Sequence, residues 1–396
     1  MPDLPTLEDL PDEAVRDRPV LVRVDFNVPM DGDRVVDATR LREALPTLDA
    51  LRERGARQLL VSHRGRPKGV RRPELSLEPV ARALAGLWGR EVAFAPDCVG
   101  DPARAAADDL PPGGACLLEN VRFHPGEEAN DPAFAAQLAA LASAYVSDAF
   151  GTAHRAHASV AGVPALVGHR AAGRLMALEL ERLGRLLHDP ERPYVAILGG
   201  AKISGKIELL ASLVERVDAL LVGGGMANTF LAAGGRDLAS SLVETDQLDT
   251  ARGILASCER TGVRVELPTD LVITDSLDAE SPSVETTYGD LPAGTLAVDV
   301  GPETRERFRA AVAAARTVFW NGPLGVFERP PFDRGSVALA AALAACPGYT
   351  VIGGGETAAA VERAGCTARI GHVSTGGGAA LALLAGKPLP GVLALR

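Results

Sequence analysis

Lys202 and Lys206 are the first residues that could do chemistry, because this chain otherwise uses arginine as its basic side chain. Only four of its 41 basic residues are lysines, and these two lie within five residues of chain. Their run, GAKISGKI at residues 200–207, nearly matches the pattern GxxxxGK[ST], but Ile207 lacks the hydroxyl that holds Mg²⁺ in a P-loop. We therefore exclude a P-loop nucleoside triphosphatase. The spacing predicts two ammonium groups on one face of a helix start, facing phosphate; the alternative is a solvated helix face.

Glycines gather where strand candidates end in the second half of the chain. Such a junction lets backbone N–H groups and a helix N-terminus face an anion. One cluster predicts little, because a tight turn needs glycine anyway, but four clusters in one half favour a phosphate-binding region. They are Gly199-Gly200, Gly223-Gly224-Gly225, Gly353-Gly354-Gly355 and Gly376-Gly377-Gly378.

Basic and polar residues follow one strand candidate after another in the first half. The carboxyl ends of parallel strands collect ligands at one edge of a sheet, so these residues are expected to converge. Arginine binds carboxylate and phosphate through two parallel hydrogen bonds, and its clustering in an acidic chain predicts a local anion site. For any single arginine a surface ion pair is the alternative, and His124 and His157 are interpreted as packing residues. The predicted cluster comprises Arg40, His63, Arg66, Arg122 and Arg155, with Asp25 and Asn27 after the first strand.

The motifs that the sequence lacks narrow the chemistry further. It has neither a GxSxG nucleophile elbow nor the HRDxxxxN loop of protein kinases. A kinase that phosphorylates a hydroxyl needs a general base, whereas a carboxylic acid of pKa about 4 is already ionised at neutral pH. A site of cations and backbone amides therefore fits transfer to or from an acyl-phosphate.

Strand and helix patterns alternate along the whole chain, which predicts parallel α/β sheets. Strands are predicted at residues 19–25, 58–62, 91–95, 115–118 and 144–148, then at 194–198, 219–222, 263–266, 296–299, 317–320 and 349–352. Helices are predicted at residues 38–54, 77–88 and 132–142, and a surface loop at 278–294. A charged helical stretch, residues 173–189, ends ahead of Pro190 and is interpreted as the connection between two domains.

The composition is that of a soluble enzyme with two domains. A chain of 396 residues is too long for one hydrophobic core, and 47% hydrophobic with 23% charged residues excludes a disordered chain. No apolar stretch reaches the roughly 18 residues of a membrane helix, and the acidic N-terminus is unlike a secretory signal. The net charge of -10 argues against nucleic-acid binding. Five scattered cysteines without a CxxC pair indicate a reducing compartment, so the cytoplasm is expected.

The motifs, taken in order, resemble those of the phosphoglycerate kinases over nearly the whole chain. The matching segments begin with VLVRVDFNVP at residues 20–29 and end with GKPLPGV at 386–392. Between them lie 63–67, 119–124, 148–157, 198–206, 223–230, 320–328, 353–357 and 374–378. The resemblance implies an α/β fold of two doubly wound parallel-sheet, Rossmann-like domains joined by a hinge helix. It also implies reversible, Mg²⁺-dependent phosphoryl transfer from 1,3-bisphosphoglycerate to ADP, giving 3-phosphoglycerate and ATP.

The same resemblance implies a role for each domain and for individual residues. Residues 1–172, with a returning tail at 389–396, would bind phosphoglycerate, residues 173–189 would form the hinge, and residues 190–388 would bind nucleotide. Phosphoglycerate would be held by Asp25, Phe26, Asn27, Arg40, His63, Arg64, Gly65, Arg66, Arg122 and Arg155. Nucleotide would be held by Lys206, Glu328, Gly354, Gly355, Glu356 and Thr357, with the metal on Glu356. Arg40 and Lys202, with the N–H groups of Gly355 and Gly377, would stabilise the transferring phosphoryl group.

Three residues depart from the usual pattern of that family. Glu356 replaces an aspartate, Ala297 replaces a glycine near the nucleotide, and Arg64 replaces an apolar residue. The first lengthens the arm that reaches Mg²⁺, and the second is expected to narrow the adenosine pocket slightly.

Two other classes of function were weighed against a kinase. A non-catalytic phosphometabolite-binding protein, silenced at Glu356, is disfavoured by the intact Arg40 and Lys202. A dinucleotide-dependent oxidoreductase is disfavoured because no GxGxxG follows the first strand. The family further suggests a monomer whose two halves approach only when both ligands are bound, since closure would expel water from the acyl-phosphate.

Overall fold

The computed structural model describes residues 4–278 and 285–396, and the chain divides into two compact units. The first unit runs to Glu181 and also includes Pro388–Arg396, and the second is Arg182–Lys387. The division falls within one helix, Arg174–Leu187. Among the described residues, no helix is both long enough and apolar enough to cross a membrane.

The strands of the first unit are runs of buried residues. In the first strand, Val20, Leu21 and Val22 have no exposed surface, as expected for a parallel strand that is covered on both faces. The strands are β1 (Pro19–Arg23), β2 (Met30–Asp31), β3 (Arg34–Val35), β4 (Arg57–Val61), β5 (Ala93–Ala95), β6 (Ala115–Leu118), β7 (Ala144–Ser147) and β8 (His169–Ala172). β2 and β3 form a small antiparallel hairpin, and the other six form a parallel sheet of order β5-β6-β4-β1-β7-β8.

Helices connect these strands and carry several of the predicted site residues. They are α1 (Asp12–Val15), α2 (Thr39–Glu53), α3 (Glu78–Trp88), α4 (Gly100–Asp109), α5 (Pro125–Glu128) and α6 (Pro132–Ala139), followed by α7 (Arg174–Leu187). Helix α7 begins where the Asp148 carboxylate accepts hydrogen bonds from the N–H groups of Leu175 and Met176, at 2.9 and 3.2 Å. The connecting helix is thereby attached to the carboxyl end of β7.

The second unit contains another parallel sheet with buried strands. The strands of this unit are β9 (Tyr194–Leu198), β10 (Ala219–Val222), β11 (Arg264–Glu266), β12 (Asp270–Thr274), β13 (Glu285–Tyr288), β14 (Leu296–Val300), β15 (Thr317–Asn321), β16 (Tyr349–Gly353) and β17 (His372–Ser374). The parallel sheet has the order β11-β10-β9-β15-β16-β17. Progress across the sheet therefore reverses between β9 and β15, as in a doubly wound nucleotide-binding fold, and the predicted α/β fold class is confirmed.

A separate antiparallel sheet was not foreseen from the sequence. Strands β13, β12 and β14 form it in that order. The expectation that residues 296–299 join a parallel sheet is therefore wrong, since β14 pairs with β12 in the antiparallel sense. The predicted loop at 278–294 includes β13, while its residues 279–284 lie outside the described residues.

The helices of the second unit follow its strands, and the last short helix belongs to the first unit. They are α8 (Ile207–Val214), α9 (Gly224–Ala233), α10 (Leu248–Thr261), α11 (Pro302–Ala314), α12 (Arg334–Ala345), α13 (Gly355–Arg363), α14 (Gly378–Leu384) and α15 (Pro390–Leu393). In α15, Gly391 N–H donates to the Ala153 carbonyl oxygen at 2.9 Å, and Leu389, Val392 and Leu395 are buried. The returning tail is thus packed beside the segment that carries Arg155.

Candidate active site

The first unit gathers basic residues at the carboxyl end of β1. In the sheet order, β4 lies on one side of β1 and β7 on the other, so the strand order reverses at β1. Doubly wound α/β sheets bind ligands at the carboxyl ends of the strands where the order reverses. Asp25 follows β1, and its carboxylate lies 2.9 Å from Nη1 of Arg40, in the first turn of α2. The same Nη1 donates to the Asn27 carbonyl oxygen at 3.0 Å. These contacts hold the Arg40 guanidinium beside the strand end, with 35% of its side chain exposed.

The loop after β4 is held against the same strand end by hydrogen bonds. The Ser62 hydroxyl accepts from the Phe26 N–H at 2.9 Å, and Asn27 Oδ1 accepts from the Gly65 N–H at 2.9 Å. The Gly65 carbonyl accepts from Nη1 of Arg122 at 2.8 Å. Gly65 has a φ of +63°, and a Cβ there would lie 2.8 Å from a leucine side chain, so the turn requires glycine.

Arg64, the unusual residue of this loop, has a structural partner. Its side chain is almost completely buried, and Nη1 donates to the Ser76 carbonyl oxygen at 2.9 Å. Nδ2 of Asn120 donates to the Arg64 carbonyl oxygen at 2.7 Å. The arginine thereby fastens the loop to the segment that precedes α3.

The surroundings of His63 reveal how closely the arginines gather. His63 is buried, and burial lowers its pKa well below the ordinary value. The positive charges of Arg23, Arg122, Arg40 and Arg155 lower that pKa further. His63 is therefore a neutral imidazole among four guanidinium groups. The structure brings three of the four predicted arginines together around His63, and the fourth, Arg66, has an exposed side chain.

Arg66 and Arg155 have no partner for their guanidinium groups in the part of the chain that the structure describes. Arg66 is exposed and Arg155 is half-buried. Within residues 4–278 and 285–396, neither side chain makes a hydrogen bond or an ion pair. Arg155 also lies near the other arginines around His63, so its guanidinium group favours an anionic ligand that would neutralise it.

Arg23 is a member of this cluster that the sequence analysis missed. It is 1% exposed, its Nε donates to the Ser159 hydroxyl at 2.8 Å, and its Nη2 lies 3.3 Å from Nδ1 of His63. Ser159 in turn donates to Oε1 of the buried Glu127 at 2.6 Å. The buried guanidinium is thus linked to a carboxylate, as a buried charge requires. The signal was a charged residue inside the apolar run VLVRV at residues 20–24.

His154 and His157 also lie in the electrostatic field of the cluster. Burial lowers the pKa of His157 to about 4, and Arg122 and Arg155 act in the same direction. Burial and the charge of Arg155 lower the pKa of His154 as well. Both imidazoles are therefore neutral near pH 7, so the positive charge of the site comes from arginine.

In the second unit, the two lysines lie in a loop that precedes α8. That helix begins at Ile207, and residues 201–206 form bends and turns. The prediction that Lys202 and Lys206 share one face of a helix start is therefore wrong. Gly205 lies between them, and glycine is a poor helix former, so a spacing of four does not become one helical turn here.

Lys206 is directed at the ends of two neighbouring strands. Its Nζ donates to the Gly199 carbonyl oxygen at 2.7 Å and lies 3.4 Å from the Asn321 carbonyl oxygen. Burial lowers the pKa of Lys206 to about 8, and the negative charge of Glu356 acts in the opposite direction. This ammonium group is partly desolvated, and its hydrogen-bond partners among the described residues are carbonyl oxygens, so a nearby phosphate would stabilise it.

Glycines let the ends of β9 and β15 touch. A Cβ at Gly199 would lie 2.2 Å from the Pro323 carbonyl oxygen, and one at Gly322 would lie 2.4 Å from the Gly199 carbonyl oxygen. The Thr357 hydroxyl, which is fully buried, accepts from the Gly322 N–H at 2.7 Å. The strand ends that surround Lys206 are therefore fixed by backbone contact as well as by side chains.

A cavity of about 500 Å³ opens beside these strand ends. Its size lies within the roughly 300–1,000 Å³ of small-molecule sites. Its walls are mostly apolar and include Leu271, Leu296 and Ala297, and two of its charged residues are Glu328 and Glu356. The unusual Ala297 therefore lies in the cavity wall, as expected of a residue that narrows it.

Two of the predicted glycines at the starts of α13 and α14, Gly355 and Gly377, have open space beside them. Gly354 has a φ of +94° and Gly377 a φ of +42°. A Cβ at Gly355 or Gly377 would meet no described atom within 4 Å. Helix α13, of nine residues, thus begins with backbone N–H groups that an anion can approach.

Two places were considered for a metal ion. Glu356, exposed in the first turn of α13, offers the single carboxylate with which Mg²⁺ is commonly bound alongside substrate phosphates. In the described part of the chain, Asp97, Cys98 and His124 also lie close enough to share an ion, within 4.8 Å. There Nε2 of His124 lies 2.7 Å from Oδ1 of Asp97, and burial raises the pKa of the Cys98 thiol well above its ordinary value. We interpret that group as hydrogen-bonded packing.

Comparison with known proteins gives one consistent family. The family profile described as phosphoglycerate kinase matches residues 8–387. A phosphoglycerate kinase of Moorella thermoacetica is 53% identical over 390 residues, covering 98% of this chain and 98% of that protein. One of Thermomicrobium roseum is 51% identical over 390 residues, again with 98% of each covered.

Solved structures agree with the sequence relatives. The structure of phosphoglycerate kinase from Coxiella burnetii matches with a TM-score of 0.89 and 39% identity, covering 99% of each chain. That of phosphoglycerate kinase from Pyrococcus horikoshii OT3 matches with a TM-score of 0.83 and 31% identity, covering 98% of each chain.

Proposed function

The chain belongs to the phosphoglycerate kinase family, and we propose how its residues divide the reaction of that family between the two units. The protein is a kinase that catalyses reversible phosphoryl transfer between 1,3-bisphosphoglycerate and ADP.

Phosphoglycerate binds to the first unit in this proposal. The supporting observation is the set of four guanidinium groups around a neutral His63. One of the four, that of Arg155, has no partner in the described part of the chain, and the same holds for the nearby loop residue Arg66. A doubly or triply charged three-carbon acid supplies negative charge beyond that of Asp25 and Glu128, which already lie against Arg40 and Arg122. Asp25 and Asn27 orient Arg40 and the loop after β4, and they contribute no positive charge to the site.

The nucleotide binds to the second unit. The apolar cavity wall accommodates adenosine, Glu328 at its rim accepts from the ribose hydroxyls, and Lys206 holds phosphate oxygens. The N–H groups at Gly354, Gly355 and Thr357 line the phosphate path at the start of α13. The buried Thr357 hydroxyl keeps this turn in place through Gly322.

The transferring group carries its charge on three equatorial oxygens, and fixed donors must neutralise that charge. We assign this role to Arg40 from the first unit and Lys202 from the second, with the N–H groups of Gly355 and Gly377. In the direction of 1,3-bisphosphoglycerate formation, a carboxylate oxygen of 3-phosphoglycerate attacks the γ-phosphorus of ATP, and ADP is the leaving group. No proton has to be removed from that carboxylate at neutral pH.

Mg²⁺ is assigned to Glu356 together with nucleotide phosphate oxygens. The donor set fits, because Mg²⁺ prefers oxygen ligands and Glu356 is an exposed carboxylate near Lys206. When bound, the ion supplies charge neutralisation on the phosphates.

We also propose that the units approach one another when both ligands are bound, with α7 as the hinge, in a monomeric cytoplasmic enzyme. A single ligand gains little from closure, so both are needed to shift the population. Small-angle scattering of the free, singly liganded and doubly liganded protein tests the motion. A radius of gyration equal in all four states, in active protein, contradicts it, and light scattering after gel filtration measures the mass.

A coupled assay for ATP formation from 1,3-bisphosphoglycerate and ADP tests the assignment as a whole. We expect activity that requires Mg²⁺ and is lost in an Arg40→Ala, Lys202→Ala double variant. Binding of both ligands without turnover in the unchanged protein would instead favour the non-catalytic binding protein.

A further inference from the structure

Glu244 makes three hydrogen bonds to the loop that carries Lys202. Its Oε2 accepts from the Ile203 N–H at 2.5 Å and from the Ser204 N–H at 3.2 Å. Its Oε1 accepts from the Ser204 hydroxyl at 2.6 Å. One carboxylate, 41 and 40 positions away along the chain, therefore binds the two residues that directly follow Lys202.

The loop has few other attachments near the lysine. Its first end is held where the Met226 N–H donates to the Gly200 carbonyl oxygen at 3.0 Å, and its last end where the Lys206 N–H donates to the Ile203 carbonyl oxygen at 2.8 Å. Lys202 itself is exposed, and within residues 4–278 and 285–396 its side chain makes no hydrogen bond or ion pair. The centre of the loop depends on the buried Ile203 side chain and on Glu244.

Glu244 is itself fixed to the wall of the nucleotide cavity. Its N–H donates to the buried Thr229 hydroxyl of α9 at 3.1 Å. Two residues earlier, the Leu242 carbonyl oxygen accepts from Nδ2 of Asn228, also in α9, at 3.3 Å. Leu242 and Asn228 both line the cavity. A rigid path of hydrogen bonds thus runs from the cavity wall through Glu244 to the lysine loop.

We propose that Glu244 is a positioning residue, which fixes the backbone at Ile203 and Ser204 so that Lys202 presents its ammonium group to the transferring phosphoryl group. This inference rests on the proposed role of Lys202. A flexible four-carbon side chain can reach many positions, so its useful placement depends on a fixed Cα. A displacement of about 1 Å at a reacting centre can cost on the order of a hundredfold in rate.

The chemistry of the carboxylate explains why glutamate is suited to this position. All three groups that face it are donors, and an ionised carboxylate is an acceptor at both oxygens. In Glu244→Gln the size is nearly unchanged, but the amide oxygen that still accepts from the Ile203 and Ser204 N–H groups carries no negative charge, so these bonds lose their charge assistance. The new NH₂ group faces the Ser204 hydroxyl, which must then accept instead of donate. Ser204→Ala removes only the hydroxyl contact and is the milder variant.

A double-mutant cycle tests the proposal, with kcat, KM for ADP and the thermal midpoint measured for each variant. We expect Glu244→Gln to lower kcat by about tenfold or more, with KM for ADP changed by less than about threefold, because the loss lies in transition-state stabilisation. In a Lys202→Ala background the same substitution should lower kcat by less than about twofold, since residues that act through one group are not additive. Asp246→Asn, two positions away, is the control and should leave kcat unchanged, because the Asp246 side chain accepts a hydrogen bond from the neighbouring Gln247 and makes no contact with the lysine loop among the described residues.

The outcomes separate this inference from the proposed function. An equal fall in kcat from Glu244→Gln in both backgrounds overturns the positioning role, because the loss then does not pass through Lys202. A Lys202→Ala variant with unchanged kcat refutes the role proposed for that lysine, whatever Glu244 does. If Glu244→Gln does not fold, Ser204→Ala is placed in the same cycle. We expect it to lower kcat by about threefold in the parent and not in the Lys202→Ala background, and equal effects in both overturn the proposal.

Discussion

The phosphate sites proposed for the two units differ in their chemistry. The first uses guanidinium groups that follow several strands, and these stay charged at any pH at which the protein is folded. The second uses backbone N–H groups, glycine turns and one half-buried lysine whose pKa is about 8. The first site therefore has a fixed charge, whereas the second has a charge that can be titrated. The comparison indicates that the affinity of an anion site depends on whether burial changes the protonation of its cations, as well as on the number of cations.

The largest expected effect concerns a fixed charge of the first unit. Arg40→Ala should lower kcat by about a hundredfold or more, because one preorganised donor to the transition state is lost. Affinity for ADP should be nearly unchanged, since Arg40 belongs to the other unit. Steady-state kinetics with equilibrium dialysis of ADP measure both quantities.

The control for this prediction lies on the same helix. Arg42 is exposed in α2, and Arg42→Ala should leave kcat within about twofold, as is usual for a surface position. A kcat for Arg40→Ala within about threefold of the parent would contradict the assignment of Arg40 to the transition state.

The next effect separates the two lysines of the second unit. Lys206→Ala should raise the Kd for ADP by about tenfold or more, because a charge-assisted contact to phosphate contributes roughly 1.5–3 kcal/mol. Lys202→Ala should mainly lower kcat. Isothermal calorimetry with ADP, beside steady-state kinetics, distinguishes the two. Equal losses of ADP affinity in both variants would mean that the lysines share one ground-state role.

A smaller effect follows from the titration of Lys206. The ammonium form predominates below the pKa of about 8 and is lost above it. ADP favours the charged form, so the Kd for ADP should rise by on the order of tenfold between pH 7 and pH 9. Lys206→Arg should remove this rise, because arginine stays charged. The Kd for 3-phosphoglycerate should stay nearly constant over the same range, and a parallel rise for both ligands would abolish the contrast between the units.

The smallest effect concerns the metal. Glu356→Gln should raise the Mg²⁺ concentration for half-maximal rate by about threefold or more, because a hard cation loses an anionic oxygen ligand. Glu356→Asp should keep activity. Glu362, exposed on the same helix, provides the control Glu362→Gln. If the Mg²⁺ titration of Glu356→Gln matches that of the control, the residue only stabilises the start of α13.

Much of the fold could be predicted from short apolar runs, and the errors have physical causes. The buried runs that became β1 and β9 are continuous, so period and length both indicate a strand. β17 has only three residues and was not foreseen. β14 was found as a strand, but its partner is set by contacts distant in sequence, and periodicity carries no information on that pairing.

The sequence predicted which residues form the candidate site better than it predicted the partners that hold them in place. The basic residues after strands could be listed, because each strand end is visible in the sequence. Arg23 was missed because a charged residue within a strand run is ordinarily solvent-facing, and only the fold links it through Ser159 to Glu127. Glu244 was missed for a similar reason, since its partners lie 40 and 41 positions away. Lys202 and Lys206 were wrongly placed on a helix, because a spacing of four residues is compatible with a helix as well as with the loop in which they lie.

The returning tail has a consequence for the order in which the protein is made. Pro388–Arg396 belongs to the first unit, and Gly391 lies so close to Ala153 that a Cβ there would come within 3.0 Å of the Ala153 Cα. When the ribosome has synthesised residues up to Glu181, all residues predicted to bind phosphoglycerate have been made. The tail segment that packs against Ala153, close to Arg155, has not yet been made. The whole second unit is translated before that segment emerges. The first unit is therefore the first to be translated in part and the last to have all its residues available for folding.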